Sequence, residues 1–351
     1  MNMTYLKKCK NRFKNGKAGI AVLLLLGNFL CMKGQEAKNF TPSGSPIIVL
    51  FSDYTAGLGK ANDVSGFNLT RSRFGYQYQA AKSLKATVVL DVNSFENART
   101  VNFHYAMLEW THENLTLGGG LIALSQFGEQ EAFWGRRYIE KSFQDLNGFG
   151  FDSDLGMIAK YRFTDWLEAD FAITNGEGTM NLNNNNTNKY GFGVTIKPVT
   201  GLTVRAYTDI YSDSPDLYLE LAPNETVVYK NQSTAAVFAG YRNDFFSLGA
   251  EYNYQKSRNF IDECNYSGYS VYAGVPLGEK FELFGRYDYV DTETPAGLTY
   301  NWESVANENT LIAGFEYHPV KQLYISPNYR YVKPIVSDAF HSVGINVGFS
   351  W

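Results

Sequence analysis

The chain has 351 residues, with 31 Lys and Arg against 35 Asp and Glu, and a formal net charge of −4. This near balance gives no electrostatic argument for nucleic-acid binding. The length exceeds that of one ordinary soluble domain, yet no linker separates two cores. Tyr, Phe and Gly are abundant, and mean hydropathy is slightly negative. Low hydropathy is compatible with a membrane barrel, because its strands alternate apolar and polar residues.

The first segment has the order of a secretory signal. Six basic residues between positions 7 and 17 precede an apolar run over 18–30, which is too short for a membrane-spanning helix. We predict a signal peptide over residues 1–34, with cleavage between Cys31 and Glu36. The alternative is a lipoprotein acylated at Cys31, which the preceding Leu30 disfavours. The mature chain keeps one cysteine, Cys264, and therefore no intramolecular disulfide framework.

The last stretch, Phe340–Trp351, has the period of a β-strand. Reading back from the end in steps of two gives only apolar residues, and the residues between them are small or polar. A strand of this length that ends on an aromatic residue also fits a tilted strand that spans a bilayer. The pattern predicts apolar side chains outside and polar side chains inside.

Similar runs with a period of two continue from residue 46 to the end, after a short polar lead over 35–45. Their number is about sixteen, an even count as in single-chain bacterial barrels. We place them at Pro46–Thr55, Gly66–Ala80, Leu84–Asn93, Val101–Thr111, Leu115–Ser125, Asp154–Phe163, Trp166–Thr174, Lys189–Ile196, Leu202–Tyr211, Ser233–Arg242, Phe245–Gln255, Gly268–Pro276, Phe281–Val290, Asn309–His318, Leu323–Val332 and Phe340–Trp351. Pro327 falls inside one of them, where we expect a bulge or a strand boundary.

The connections alternate between tight turns and long loops. Short turns at one rim and long loops at the other are typical of an outer-membrane barrel, with the turns in the periplasm and the loops outside. We therefore predict an all-β fold, a transmembrane antiparallel barrel over residues 46–351.

Charge supports the same fold. When the more apolar phase of each predicted strand is taken as outward, no Asp, Glu, Lys or Arg lies on the outer face. A cation on the lipid face costs roughly 2 to 4 kcal/mol at the midplane, so a bilayer would impose this segregation. The predicted cations of the lumenal wall are Arg71, Arg73, Lys160, Arg162, Arg205, Arg286 and Arg330. Acidic residues alternate with them, which predicts a wet lumen.

The longest connection, Gln126–Ser153, is too apolar for a loop in water and too charged for a strand. We predict that it folds back into the barrel, packs Phe133, Trp134 and Phe143 on the wall, and narrows the pore. Its charges would then face the lumenal arginines and create a transverse field. The predicted constriction residues are Glu129, Glu131, Trp134, Arg136, Arg137 and Lys141. The alternative is an external loop with a short amphipathic helix that contacts a partner.

Enzyme motifs lack the structural context that they need. Gly118–Ala123 loosely matches a dinucleotide pattern but lies within a predicted strand, and the four histidines lack zinc spacing. No Gly-x-Ser-x-Gly elbow is present. We expect no enzymatic activity, no cofactor and no metal. A Ser/His hydrolase whose triad assembles in space stays open as a minor alternative.

Several motifs together resemble a known family. They are Phe51–Tyr54, Gly66–Arg71 with Arg73, Phe133–Tyr138, Asp154–Gly156 and Asn175–Gly178. Nearly the whole mature chain is similar to outer-membrane porins of Bacteroidota related to the phosphate-selective O/P-type porins. The resemblance implies a sixteen-stranded barrel, commonly trimeric, for passive solute passage. In that family, phosphate selectivity depends on an arginine ladder and on lysines near the constriction.

These observations predict a passive outer-membrane porin for small hydrophilic solutes, with anions among them. The expected surroundings are outer-membrane lipid and lipopolysaccharide, and the expected assembly is a homotrimer. The alternative is a barrel with a closed lumen whose external loops bind a ligand or a partner protein.

Overall fold

The structure, a computed structural model, describes residues 40–59, 65–95, 98–179, 187–212, 228–293, 307–335 and 337–351. Sixteen antiparallel strands form one closed barrel, in which every strand pairs with its neighbours in sequence and β1 pairs with β16. The predicted all-β barrel is therefore confirmed. The predicted signal peptide lies outside the described residues. The first strand begins at Ser43, inside the predicted polar lead.

The strands and helices follow one another in chain order. The strands are β1 (Ser43–Leu58), β2 (Ser65–Ala81), β3 (Leu84–Phe95), β4 (Ala98–His112), β5 (Leu115–Ala123), β6 (Ser153–Thr164), β7 (Leu167–Thr174), β8 (Lys189–Ile196), β9 (Leu202–Tyr211), β10 (Gln232–Arg242), β11 (Ser247–Lys256), β12 (Asn265–Pro276), β13 (Phe281–Glu293), β14 (Asn307–Val320), β15 (Leu323–Pro334) and β16 (Phe340–Ser350). Two short α-helices, α1 (Gly128–Trp134) and α2 (Phe143–Leu146), lie between β5 and β6, and a 3-10 turn covers Arg258–Phe260. In this part of the chain, no helix has the length and apolar character needed to cross a membrane.

The ladder that closes the barrel follows the predicted phase of the last strand. Ile345 of β16 lies opposite Tyr54 of β1, and both side chains are exposed on the outer surface. Asn346 lies opposite Asp53, and both are buried inside. Because side chains alternate along a strand, one register fixes the apolar face outward and the polar face inward.

One local prediction is wrong. The strand β15 runs through Pro327, which pairs in register with Ile345 of β16 without a bulge. Proline has no amide hydrogen to donate, and the effect is seen at the edge of β15 that faces β14. The pairing of β15 with β14 there omits Phe315 and Glu316. Pro327 is exposed on the outer face, and β16 holds the strand in place beside it.

Most connections sort by length as predicted, although β3 ends at Phe95 and β4 begins at Ala98 at the rim of the longer connections. Two-residue turns such as Glu113–Asn114 join strands at one rim, called here the turn rim, and Glu113 adopts the left-handed φ of 50° that its tight turn requires. The other rim, called the loop rim, carries the longer connections. The connection that leaves β5 at the loop rim does not stay there, and it forms the candidate site.

Candidate functional site: the loop inside the barrel

Residues 124–152, called here the inner loop, fold into the lumen. The residue that follows α1, Gly135, caps the helix. It has a φ of 68° and donates its amide to the carbonyl of Glu131. This left-handed end reverses the chain, a conformation that glycine adopts without a Cβ penalty. Glu129 of this segment pairs with Lys197, in the turn between β8 and β9, and Trp134 contacts Phe284 of β13. The loop therefore extends toward the turn rim.

Aromatic side chains anchor the inner loop to the wall. Trp134 is 1% exposed and lies between Tyr272 and Phe284, with ring centroids 5.4 and 6.0 Å away. Farther along the loop, Phe149 stacks on Tyr266 at 5.1 Å. Burying a large aromatic side chain stabilises a contact by roughly 1.5 to 3 kcal/mol. The predicted packing of the loop against the wall is therefore present.

Wall glycines leave the space that these aromatic side chains fill. A Cβ built on Gly268 would lie 2.6 Å from the ring of Phe143, and one on Gly348 would lie 2.7 Å from Tyr138. Phe133 occupies the corresponding gap over Gly240. Inward-facing glycines therefore act as sockets for the loop, a role that alternation alone does not reveal.

Arginines of the wall hold the backbone of the inner loop. Arg286 donates to the carbonyl of Lys141 at 2.6 Å, and Arg330 donates to the carbonyl of Ile139 at 2.9 Å. Arg286 is 2% exposed and is also bound to the carboxylate of Asp288 at 2.7 Å. Since a buried guanidinium needs both a counter-charge and hydrogen-bond acceptors, the loop completes the shell of this arginine.

A second ionic cluster joins the loop to β13 and β14. The guanidinium of Arg136 lies 2.7 Å from Glu282 and 3.5 Å from Glu316. The hydroxyl of Tyr138 donates to the carboxylate of Glu316 at 2.6 Å. Burial of Tyr138 raises its pKa, and the negative charge of Glu316 raises it further. His318 lies 2.8 Å from Glu316, so the ligand atoms of Glu282, Glu316 and His318 lie within 4.8 Å of one another. The guanidinium of Arg136 supplies the positive charge beside the carboxylates of Glu282 and Glu316.

A third cluster faces β2 and β4. Arg137 pairs with Glu131 and Asp145 of the loop itself and lies 3.5 Å from Asp152. Asp152 also lies 3.2 Å from Arg73 of the wall. Burial acts to raise the pKa of Asp152, but its cationic neighbours outweigh burial and hold that pKa below its ordinary range. The cluster therefore stays ionised at neutral pH.

Three predicted lumenal cations have no such partners. The side chains of Arg71, Lys160 and Arg162 make neither an ion pair nor a hydrogen bond with any residue that the structure describes. Arg71 lies 6.0 Å above the ring of Phe51, at the outer limit of a cation–π contact. Lys160 and Arg162 lie on β6, and Arg71 lies on β2 beside Phe51, whose ring is 6.2 Å from that of Tyr138.

The structure brings some predicted constriction residues together and separates others. Arg136 and Arg137 point to different carboxylate clusters, and Trp134 is packed into the wall. Glu129 lies apart and pairs with Lys197 at 2.9 Å, and the ammonium group of Lys141 is half exposed.

The expected opposition of loop charges and lumenal arginines is only partly present. Arg136 faces wall carboxylates rather than arginines, and Glu131 pairs within the loop. The loop carboxylates that do meet lumenal arginines are Glu140, which pairs with Arg330, and Asp152, which pairs with Arg73. The residues that sequence reasoning missed are Tyr138, Glu140, Glu282, Glu316 and His318.

Together, a closed sixteen-stranded barrel, a polar inner face and a loop folded inside it define a channel of the outer-membrane barrel class. Residues 153–346, more than half of the chain, match the model of a protein family described as "Putative beta-barrel porin-2, OmpL-like". The chain belongs to this OmpL-like beta-barrel porin family. No curated protein sequence gives a significant match.

Solved structures with a similar fold are porins and outer-membrane proteins. The anion-selective porin from Comamonas acidovorans has a TM-score of 0.66 and 12% identity, over 89% of this chain and 100% of that one. OmpF of Salmonella typhi, in complex with daunomycin, also has a TM-score of 0.66 and 12% identity, over 88% and 97%. OmpT of Vibrio cholerae, an outer membrane protein, has a TM-score of 0.63 and 14% identity, over 90% and 100%. At this identity the likeness concerns the fold alone. The family and the closed barrel point to the bacterial outer membrane.

Proposed function

We propose that this protein is a passive porin, in which small hydrophilic solutes pass between the inner loop and the wall formed by β2 to β6. The observation that carries the proposal is the uneven anchoring of the loop. Most of its aromatic anchors and most of its hydrogen bonds to the wall involve β8 to β16, whereas the unpaired cations Arg71, Lys160 and Arg162 lie on β2 and β6. A loop held to one side leaves room for a passage on the other.

The narrowest part of this passage would lie at the cluster of Arg137. There Asp152 of the loop pairs directly with Arg73 of the wall at 3.2 Å, and the passage would run beside this contact, next to the guanidinium of Arg71. Opposed charges at a constriction create a transverse field, which orders polar solutes as they pass.

The unpaired cations support a modest preference for anions. Rings and tracks of Arg and Lys attract anions, and a guanidinium that is already neutralised by a carboxylate does so weakly. The interleaved Asp and Glu residues do not support a strong preference for phosphate. Phosphate selectivity of the O/P type and an origin in Bacteroidota stay predictions from the resemblance.

Assembly as a homotrimer is part of the proposal. OmpT of Vibrio cholerae, whose fold is similar, has been solved in a trimer form. The outer face of this barrel carries exposed apolar side chains, which suit both lipid and a subunit contact. A signal peptide cleaved after export would deliver the chain to the membrane.

Single-channel conductance of the purified protein in a planar bilayer tests the proposal. The variant replaces residues 128–147 with a short Gly/Ser linker, which removes both helices and the anchors between them. Because the loop occupies lumen cross-section, the expected conductance is roughly twofold or more above that of the parent protein. The matched control, Glu113→Gln, removes one charge from an exposed turn and leaves conductance unchanged.

Two outcomes would contradict the proposal. A folded parent protein with no conductance would favour the alternative of a closed lumen with binding by external loops. Equal conductance of the parent and the loop-deleted barrel would show that the loop does not restrict the passage.

A further inference from the structure

A cavity of about 300 Å³ lies beside the end of α1, between the inner loop and the strands β10 to β15 near the turn rim. Its apolar side is formed by Trp134, Phe246 and Tyr324, and its polar side carries charged residues of both signs. The volume is at the lower limit of ordinary small-molecule sites, which restricts the ligand to the size of an amino acid. The proposed passage does not use this cavity.

Two arginines, Arg136 and Arg242, line the cavity, and the cation available to a ligand is Arg242 of β10. Its guanidinium donates to the carbonyl of Phe133 at 2.6 Å and lies 4.7 Å above the ring of Phe133. No carboxylate within the described residues pairs with Arg242. Its position is therefore fixed by the loop, while its charge remains free for a ligand carboxylate.

Two carboxylates, Glu282 and Glu316, line the cavity and share the single guanidinium of Arg136 at 2.7 and 3.5 Å, so one negative charge among these three residues is not neutralised. The anion available to a ligand is Glu282 of β13. One of its oxygens, Oε1, pairs with Arg136 at 2.7 Å, and the other oxygen has no hydrogen-bond partner among the described residues. Glu282 reaches across the neighbouring strand because that strand carries Gly274. A Cβ on Gly274 would lie 2.0 Å from Oε1 of Glu282 and 2.7 Å from Oγ of Ser247.

The charges of Arg242 and Glu282 together favour ligands of one chemical class. A simple anion would be attracted by Arg242 but repelled by Glu282, and a simple cation would meet the opposite pair of forces. A ligand with both an ammonium and a carboxylate satisfies both residues, and a small apolar side chain fits against the aromatic side. We infer that this cavity binds a small zwitterion of the amino-acid type.

This inference adds a binding site to the proposed channel, and only its role in solute passage rests on the channel proposal. Binding is measured by isothermal titration calorimetry on the purified full-length protein in detergent, so it does not require conduction. The probes are L-leucine, isoamylamine and 4-methylpentanoate, which share one carbon skeleton and differ in their charges. Leucine is expected to bind, and each probe with a single charge is expected to bind at least about tenfold more weakly.

Three variants locate the site. Arg242→Gln removes the free cation and leaves the pair of Glu282 with Arg136 intact. Gly274→Ala displaces the end of a flexible Glu282 side chain without removing a charge. Both are expected to weaken leucine binding about tenfold. The control is Glu279→Gln in the exposed turn between β12 and β13, which removes an acidic group of the same type outside the cavity and leaves binding unchanged.

The results separate this inference from the channel proposal. Absence of leucine binding to the folded protein, or equal binding by the parent and both cavity variants, would overturn the inference even if the barrel conducts. Binding that depends on Arg242 and Gly274 would support it even if no conductance is found. Far-UV circular dichroism confirms that each variant is folded.

Discussion

The lumenal wall has two parts that differ in how far their arginine side chains are buried and paired with carboxylates. The part formed by β8 to β16, called here the covered wall, holds the inner loop and buries its cations Arg205 and Arg286, while Arg242 at its rim is exposed. The part formed by β2 to β6, called the open wall, contacts the loop mainly through Asp152 and near the points where the loop leaves and rejoins the barrel. Arg286 and Arg205 of the covered wall are buried and paired, whereas Arg71 and Arg162 of the open wall are unpaired within the described residues.

This difference shows that an inward arginine can serve two purposes. On the covered wall, a guanidinium holds loop carbonyls and a neighbouring carboxylate, so its charge is used in the structure. On the open wall, Arg73 is likewise paired, with Asp91 and Asp152, whereas Arg71 and Arg162 have no carboxylate partner among the described residues. For the proposed channel, the number of lumenal arginines is therefore a poor guide to selectivity, because a guanidinium paired with a carboxylate attracts ions weakly.

The largest expected effect follows from removing Arg286 of the covered wall. Arg286→Gln leaves the buried carboxylate of Asp288 without its cation and the carbonyl of Lys141 without its donor. Breaking a buried pair from one side is expected to lower the free energy of unfolding by about 3 to 5 kcal/mol. Urea titration of the protein folded in lipid vesicles measures this change.

The matched control for that experiment is Arg162→Gln on the open wall. Its side chain is exposed and unpaired among the described residues, so the expected change in free energy is within about 0.5 kcal/mol. Similar losses for the two variants would remove the distinction between the walls.

A smaller effect concerns pH and the cluster at Asp152, where the loop meets the open wall. The pKa of Asp152 is lowered in the folded protein, so its contribution to stability is present above the pKa of the unfolded chain. That contribution is lost as the pH falls through the ordinary aspartate range near 4 and below. Asp152→Asn is therefore expected to destabilise the protein by about 1 to 2 kcal/mol at pH 7.

The measurement is urea stability of the parent and the Asp152→Asn protein between pH 8 and pH 3. The difference between them should stay constant down to about pH 5 and then shrink. A difference that grows on acidification would mean that the carboxylate is not held ionised by Arg73 and Arg137.

Much of the fold could be predicted from the sequence, because a bilayer and a wet lumen impose opposite preferences on alternate residues. The period of Phe340–Trp351 predicted the correct inward and outward phases, and the combination of apolar and charged residues in the longest loop indicated that it folds inside. Pro327 misled the prediction because a proline removes one amide donor but leaves the pairing on its other side intact.

The partners within the site could not be predicted in the same way. Arg71 and Arg286 have equivalent phases in their strands. Two residues further along the same face stand Arg73 and Asp288 respectively, which indicates the ion pair of Arg286 but not its burial under the loop. The distinction depends on where the inner loop lies across the lumen, which brings Lys141 to Arg286 and Tyr138 to Glu316 over long sequence separations. A local signal for the position of the loop is the set of inward-facing glycines, such as Gly268 and Gly348, because an aromatic side chain of the loop packs over each of them.

The smallest expected effect on stability, and the sharpest test of the open wall, comes from Arg71. Arg71→Gln removes an inward cation that forms no ion pair with the described residues, so the free energy of unfolding should change by no more than about 0.5 kcal/mol. The reversal potential in a salt gradient should nevertheless shift toward cations, because a free charge beside the passage acts on ions directly. Arg205→Gln on the covered wall should do the reverse, with a clear loss of stability and a smaller change in selectivity, because the Asp170 carboxylate that it leaves unpaired is buried away from the proposed passage. If Arg205 controlled the reversal potential and Arg71 did not, the passage would have to run along the covered wall.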